Sequence, residues 1–227
     1  MRLDRYRLTY IAGFLGSIII TVASVITALA YVGKQGQAYS PLNHFVSELG
    51  EVGVSPAAAV FNTGLIIGGI FLVIFLVGLA TLLKGWFRYL FALIGLVSGV
   101  SGMLVGVFPM NNLEMHTQVA LTFFNTGWIM VGVFSLYILL VRPPLFPLWL
   151  IIPGVITVVS FIVFLNSIDG LTSEALAAPT DRVAVWNVTI FEWMVIAGVM
   201  VWAFLIALRL LLAERTPANP TMAKATG

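Results

Sequence analysis

The segment "SPLNHFVSELGEVG" at 40–53 gathers side chains that can act as acids, bases or nucleophiles. His44, Ser47 and Glu48 lie three and four residues apart within it. Residues at these spacings meet on one side of a helix, so a short helix here would bring the three groups together. Such a group could transfer protons, attack a carbonyl carbon or bind a metal ion.

The second histidine of the chain lies in another polar segment, "FPMNNLEMH" at 108–116. Pro109 there ends an apolar stretch, and Asn111, Glu114 and His116 follow it. The chain contains 2 His and no Cys. Any site that needs two imidazoles must therefore combine these two segments.

Glu192 is a carboxylate in the middle of a long apolar stretch. It lies about eleven residues beyond Asp181, roughly 16 Å along a helix at 1.5 Å per residue. A carboxylate at such a position should face the bundle interior or a wet cavity, and it is by default a candidate for function. The alternative is that Glu192 belongs to a polar network that only holds its helix in place.

Three kinds of site are compatible with these residues. A zinc site would use the two histidines with a carboxylate, from the ligand candidates His44, Glu48, Glu114 and His116. Metal-free catalysis would use His116 as base and Ser47 as nucleophile, from the catalytic candidates His44, Ser47, Glu48, His116 and Glu192. In the third interpretation, the connecting segments fold down as a lid and their polar groups satisfy each other or hold a headgroup. We predict no cofactor and leave zinc as an alternative, because the sequence has no HExxH motif. The sequence also has no G-x-S-x-G elbow around Ser47, which counts against Ser47 as a nucleophile.

These polar groups are set in a chain that is 60% hydrophobic and only 9% charged. A soluble domain carries about 25% charged residues, so we predict an integral membrane protein. Six stretches are long and apolar enough to span a membrane as helices. They are residues 8–32, 58–83, 89–107, 119–141, 147–165 and 183–211. The sequence thus predicts an all-α fold with one six-helix domain, 1–211, and a polar tail, 212–227.

Lysine and arginine are distributed unevenly between the two ends of these helices. Lys34 and Arg182 would lie at one end, and the other nine basic residues at the end that carries the termini. Both termini are therefore predicted to be cytoplasmic, in the cell membrane, with the longer polar segments outside. The basic residues form no concentrated patch, so nucleic acid is excluded as a partner. The expected partners are membrane lipids, with other membrane protein subunits as an alternative.

The chain repeats one phrase at similar depths of two helices. "FNTGLIIGGIF" begins at Phe61 and "FNTGWIMVGVF" at Phe124, and "WNVTIFE" offers a degenerate third copy. We interpret the pattern as three repeated helical hairpins. A buried amide in lipid must find partners, so the repeated asparagines should converge on helix hydroxyls in one polar pocket that faces outward. The predicted pocket residues are Ser24, Asn62, Ser101, Asn111, Asn125, Ser160, Asn187 and Glu192.

Two further features concern helix packing. Gly102 and Gly106 in the third stretch form a GxxxG pattern, which lets helix backbones approach closely. If these glycines faced lipid, they would indicate a partner subunit that covers them. Pro153 should kink the fifth helix.

The motifs "YSPLNHFVSELG", "FNTGLIIGG" and "GVFPMNNLEMH" resemble the prokaryotic membrane family known as domain of unknown function 998. The resemblance covers roughly residues 10–211. It is carried by Ser47, Glu48, Leu49, Asn62, Gly69, Pro109 and His116. It implies a multi-pass membrane topology but no particular reaction. A looser likeness to alkaline-ceramidase-type membrane hydrolases is weakened by departures from their pattern, since this chain has two His and lacks their paired-His ending.

The leading functional hypothesis is a membrane protein that binds a lipid headgroup or small polar solute in an outward-facing pocket without catalysis. One alternative is an accessory or structural subunit of a larger membrane complex. The other is a membrane-embedded hydrolase or transferase that acts on lipid.

Overall fold

Six long α-helices account for most of the computed structural model, which describes residues 2–171 and 182–215. The helices are α1 (Arg2–Ala30), α2 (Ala58–Leu82), α3 (Trp86–Val107), α4 (Leu113–Val141), α5 (Ile151–Ile168) and α6 (Asn187–Arg215). No β-strand occurs within these described ranges. All six helices are long and apolar enough to cross a membrane. The predicted class, an all-α membrane protein with six spanning helices, is confirmed.

Local interactions explain where several helices begin. The Asn112 side chain accepts a hydrogen bond from the Met115 N–H and so caps α4, which starts at Leu113. The residue before α6 bonds to the connection between α1 and α2, since the Trp186 N–H donates to the Leu42 carbonyl at 2.7 Å. Pro153 lies in the first turn of α5, where N–H groups have no intrahelical acceptor. Pro153 therefore removes no hydrogen bond of the helix. The predicted kink assumed a proline in the middle of α5, and a proline in the first turn gives no reason for one.

The helices form a closed ring in chain order. Each packs against the next one along the chain, and α6 closes the ring against α1. At the end nearest the chain termini, Arg7 pairs with Glu214 at 2.5 Å, and the Tyr10 hydroxyl donates to Glu214 at 2.8 Å. We call this the terminal end. The last residues of the predicted tail, 216–227, lie outside the described residues.

Small residues allow the close packing of α2 against α3. A Cβ atom at Gly106 would lie 2.6 Å from the Asn62 carbonyl oxygen, and one at Gly69 would lie 2.7 Å from the Met103 Cβ. The other glycine of the GxxxG pattern, Gly102, faces the Phe123 ring. These α3 glycines thus contact α2 and α4, and the glycine face that would have indicated a partner subunit is absent from this helix.

Aromatic side chains fill the core of the terminal half. Trp202 of α6 meets Phe75 of α2 and Phe134 of α4 edge to face, with ring centroids 6.2 and 5.6 Å apart. All three side chains are fully buried. Such pairs add to the stabilisation from apolar burial, so this cluster holds α2, α4 and α6 together in the core.

The opposite end is covered by the connection between α1 and α2, residues 31–57, which we call the cap. Its centre is a short 3₁₀ helix, Val46–Gly50, in which Val46, Glu48 and Leu49 are buried. We call this end of the ring the cap end. The cap covers the mouth of the ring, and its 3₁₀ helix contacts α1, α2 and α6.

Candidate ligand site beneath the cap

A buried ion pair between Glu48 and Arg182 fastens the cap, and we call it the latch. Glu48 is 0% exposed, and both of its carboxylate oxygens contact the Arg182 guanidinium. Oε1 also accepts a hydrogen bond from the Phe45 N–H at 2.8 Å. Arg182 Nη1 donates in addition to the Asn43 carbonyl at 2.7 Å. A bidentate arginine–carboxylate pair of this kind fixes geometry as well as charge.

Further hydrogen bonds tie the cap to other parts of the ring. The Asn111 amide, in the connection after α3, accepts from the Val52 N–H at 2.7 Å and donates to the Val52 carbonyl at 2.9 Å. The Asn62 amide of α2 donates to the Gly50 carbonyl at 3.0 Å. The cap is thus held by α2, by the α3–α4 connection and by the segment before α6.

His44 is packed inside the cap between two tyrosines. Its ring lies 5.4 Å from the ring of Tyr31 and 5.1 Å from the ring of Tyr39. Burial lowers the pKa of His44, and the nearby Glu48 carboxylate opposes that shift. Burial likewise raises the pKa of both tyrosines. His44 Nε2 is buried without a hydrogen-bond partner among the described residues. Because His44 lines neither cavity, this histidine belongs to the cap's own packing.

Two cavities lie beneath the cap. The central cavity, about 100 Å³, extends down the ring axis to the buried side chains of Phe75, Met130 and Trp202. The lateral cavity, about 70 Å³, lies between α4 and α5 and is walled by residues such as Leu121, Phe164 and Ile168. Both walls are mostly apolar. Both cavities share the residues Ser47, His116, Ala120, Phe124 and Glu192.

Three of the shared residues are polar, namely Ser47, His116 and Glu192, and we call them the junction. His116 is 7% exposed, and its Nδ1 lies 2.8 Å from the Phe108 carbonyl oxygen. A carbonyl oxygen can only accept, so Nδ1 carries a proton. In the neutral ring the other nitrogen, Nε2, is then a hydrogen-bond acceptor. It makes no hydrogen bond with any described residue.

Glu192 presents a similarly unsatisfied group. The side chain is 6% exposed, and its Oε2 accepts a hydrogen bond from the Val46 N–H at 2.5 Å. Oε1 makes no hydrogen bond with the described residues, and neither does the Ser47 hydroxyl. Within the same part of the chain, no Lys or Arg lines either cavity. The junction thus offers hydrogen-bond acceptors and a carboxylate without a counter-ion.

A model of the family described as "Protein of unknown function (DUF998)" matches residues 14–209. The chain belongs to this family. It is the family that the sequence motifs resemble. No curated protein and no solved structure matches the chain. Membership of DUF998 therefore supports the multi-pass membrane class, and the chemistry of the site has to be argued from its own residues.

In this DUF998 chain, the candidate residues of the first polar segment separate into different surroundings. Ser47 lines both cavities, whereas His44 and Glu48 line neither. The expectation that the three share one side of a helix is wrong, because the 3₁₀ helix begins only at Val46. His44 precedes it and packs against tyrosines, while Glu48 points to Arg182.

The expected convergence of the repeated asparagines is also wrong. Asn62 bonds to the cap, but Asn125 and Asn187 are exposed. The Asn125 amide donates to the Leu121 carbonyl one turn earlier in its own helix, at 2.8 Å. A side chain that satisfies itself on its own helix needs no shared pocket. Asp181, from which the depth of Glu192 was measured along the sequence, lies outside the described residues.

The helix hydroxyls follow the same principle. Ser24 and Ser160 donate to the Ile20 and Ile156 carbonyls of their own helices. Ser24 nevertheless lines the central cavity, whereas Ser160 and the buried Ser101 line neither cavity.

The candidate zinc ligands are not assembled in the part of the chain that the structure describes. That part contains no group of three or more His, Cys, Asp or Glu side chains placed to hold a metal ion. Glu48 is occupied by Arg182, and Glu114 is exposed at the start of α4. His116 remains in the junction without the partners that a zinc shell needs.

Two functional residues were missed from the sequence. Arg182 forms the latch, and the sequence contained a signal for it, because Arg182 is one of only two basic residues expected at the end opposite the termini. Ser98 of α3 lines the central cavity with a buried hydroxyl that has no partner. A serine in an apolar helix gives no such signal, since most of them bond to their own backbone.

Proposed function

We propose that this protein binds a single-chain amphiphile taken from the lipid bilayer, without catalysis. The polar head lies at the junction of Ser47, His116 and Glu192. The hydrocarbon chain starts in the apolar cavities and continues through the lateral cavity, between α4 and α5, toward the bilayer. The observation that carries the proposal is that two apolar cavities meet at three polar groups beneath a fastened cap.

Energetics support an occupant with both a polar and an apolar part. Polar atoms that face a cavity need hydrogen-bond partners there, and among the described residues His116 Nε2 and Glu192 Oε1 have none. The walls of the central cavity are apolar below them, so water alone would be a poor filling there. An amphiphile satisfies both regions at once.

The lateral cavity supports entry from the bilayer. Its walls include Leu121, which is exposed on the surface of α4, and Ile168 at the end of α5. A hydrocarbon chain can pass between these helices without leaving an apolar environment. The cap meanwhile closes the aqueous mouth of the ring, so the bilayer is the favoured source of the ligand.

Charge distribution supports an orientation for this site. Arg5, Arg7, Arg88, Arg142 and Arg209 are among the basic residues expected at the terminal end. Under the positive-inside rule, the terminal end is cytoplasmic and the cap end faces outward across the cell membrane. The bound head would then lie in the outer half of the bilayer.

The two other hypotheses are less well supported. A hydrolase would use His116 to activate Ser47, yet no hydrogen bond joins them in the described residues, and the neighbouring Val46 N–H is already donated to Glu192. An accessory subunit was expected to show exposed glycines on α3, and those glycines instead pack inside the ring.

Filling the passage between the cavities tests the proposal. Ala120 lines both cavities, so Ala120→Leu should reduce the amphiphile that co-purifies with the protein by about tenfold or more. Native mass spectrometry with lipid extraction measures this amount. The matched control is Ala59→Leu, because Ala59 is exposed on α2 and lines neither cavity. Equal amounts of bound amphiphile in both variants would contradict the proposal.

A further inference from the structure

We infer that the amphiphile carries a protonated amine as its head, held by Glu192, His116 and Ser47. This inference rests on the proposed function and names the class of ligand for the same site. It follows from the charge of the junction, from its hydrogen-bonding groups and from the absence of cations around it.

Charge is the first argument. Glu48, within the cap, and Glu192, beneath it, are both buried, but only Glu48 has a cation, Arg182. A buried carboxylate without a counter-ion is costly and marks a functional site in a membrane helix. Among the described residues no Lys or Arg lines the cavities. An ionised Glu192 therefore needs a cation that the ligand brings, and an ammonium head supplies one.

Hydrogen bonding is the second argument. A primary ammonium group has three donors and no acceptor. The junction presents three groups that accept, namely Glu192 Oε1, His116 Nε2 and the Ser47 hydroxyl, and none of them has a partner among the described residues. The number of donors in the head thus equals the number of acceptors that the site leaves open.

The same groups discriminate against anionic lipids. A phosphate or carboxylate head would bring acceptors and negative charge toward Glu192, and no basic residue in the described cavity walls would compensate. An uncharged alcohol has one O–H donor, so it would satisfy one acceptor and would leave the carboxylate uncompensated. The expected order of affinity is therefore amine, then alcohol, then carboxylate.

Three amphiphiles with the same twelve-carbon chain test this order. Dodecylamine, dodecanol and dodecanoate are added at pH 7 to the purified full-length protein in nanodiscs of uncharged lipid, and binding is measured by native mass spectrometry. At this pH an alkyl amine is protonated. We expect dodecylamine to bind about tenfold or more tightly than dodecanol, as for a hydrogen bond to a charged group. Dodecanoate should bind most weakly.

Variants locate the effect. Glu192→Gln keeps an oxygen that can accept from Val46 but removes the charge, so it should weaken dodecylamine binding about tenfold and change dodecanol binding less than about twofold. His116→Asn can still donate to Phe108 while losing the Nε2 acceptor, and it should also weaken binding of the amine. Glu114→Gln is the matched control, because Glu114 is an exposed carboxylate on α4 that lines neither cavity.

The outcomes separate the two proposals. If dodecanol or dodecanoate binds as tightly as dodecylamine, or if Glu192→Gln leaves amine binding unchanged, the amine head is wrong and amphiphile binding stands. If none of the three binds, or if Ala120→Leu leaves their binding unchanged, the proposed function itself is wrong. Should Glu192→Gln fail to fold, the wild-type order of affinities and His116→Asn decide the question.

Discussion

Two glutamates are buried at the cap end of the ring, Glu48 within the cap and Glu192 beneath it, and their surroundings are opposite in kind. Glu48 receives hydrogen bonds from the Phe45 N–H and from both terminal nitrogens of Arg182. Glu192 receives a single hydrogen bond from the Val46 N–H and turns its other oxygen to the cavities. One carboxylate is satisfied within the protein and the other is left open.

This difference assigns Glu48 to the stability of the fold and Glu192 to ligand binding, although the two residues are of the same type. In the latch, Glu48 and Arg182 neutralise each other and satisfy each other's hydrogen bonds, so removing one partner should lower the stability of the protein. The junction is left incomplete, so changes there should alter ligand binding more than folding. Polar groups that line a cavity and lack a protein partner mark the place where a ligand is expected to bind.

The largest effect is expected from breaking the latch. Arg182→Ala leaves the fully buried Glu48 without a counter-ion, and breaking such a pair costs about 3–5 kcal/mol. Unfolding by SDS titration in mixed micelles measures this loss. Glu192→Gln, the corresponding change at the junction, should cost less than about 1.5 kcal/mol, because it keeps an acceptor for Val46.

A double substitution sharpens this test. Glu48→Gln combined with Arg182→Met removes both charges, so no buried charge is left alone. The pair should recover most of the stability that Arg182→Ala loses, with a coupling above about 1 kcal/mol. If Arg182→Ala and Glu192→Gln destabilise the protein equally, the distinction between latch and junction fails.

The sequence predicted the membrane class, the six helices and the family, because apolar spans and short motifs are local properties of the chain. It also singled out Ser47, His116 and Glu192. It did not predict that Glu48 leaves this group, because the partner of Glu48 is Arg182, 134 residues away. Asn62 and Asn125 occur in the same tetrapeptide, FNTG, but only Asn62 lies close enough to the cap to bond to it. Partner choice over such distances is set by helix packing and cap placement, which local patterns do not encode.

The histidine of the cap gives the next effect, a pH dependence of stability. Burial lowers the pKa of His44 below the value of about 6.5 for an unfolded histidine. Between the two pKa values the unfolded chain binds more protons than the folded one. Stability should thus stay level above about pH 6.5 with respect to His44 and fall as the pH drops below it. Unfolding midpoints measured from pH 7.5 to pH 4.5 report this slope.

His44→Phe is the variant that isolates this contribution. It keeps an aromatic ring between Tyr31 and Tyr39 and removes the titrating group. The tyrosines stay neutral because burial raises the pKa of each, and the other charges that face His44 are those of the Glu48–Arg182 latch. The readout is the difference in slope between wild type and variant, in which the contributions of other groups cancel. Identical slopes would show that His44 is not the group responsible.

The smallest effect concerns the two copies of "FNTG". It tests whether the hydrogen bond from Asn62 contributes to holding the cap on the ring. The Asn62 amide donates to the Gly50 carbonyl in the cap, whereas the exposed Asn125 amide bonds only within α4. Asn62→Leu should cost about 1 kcal/mol through the lost hydrogen bond. Asn125→Leu should change stability by less than about 0.5 kcal/mol, as for other surface positions.

The two variants form a matched pair, since each replaces the same residue in the same tetrapeptide. Unfolding in mixed micelles compares them directly, and limited proteolysis within residues 31–57 shows whether Asn62→Leu loosens the cap. Equal losses for Asn62→Leu and Asn125→Leu would mean that both amides serve one network. If only Asn62→Leu loses stability and its cap is cleaved faster, the two copies of FNTG have different roles, because only the Asn62 amide bonds to the cap.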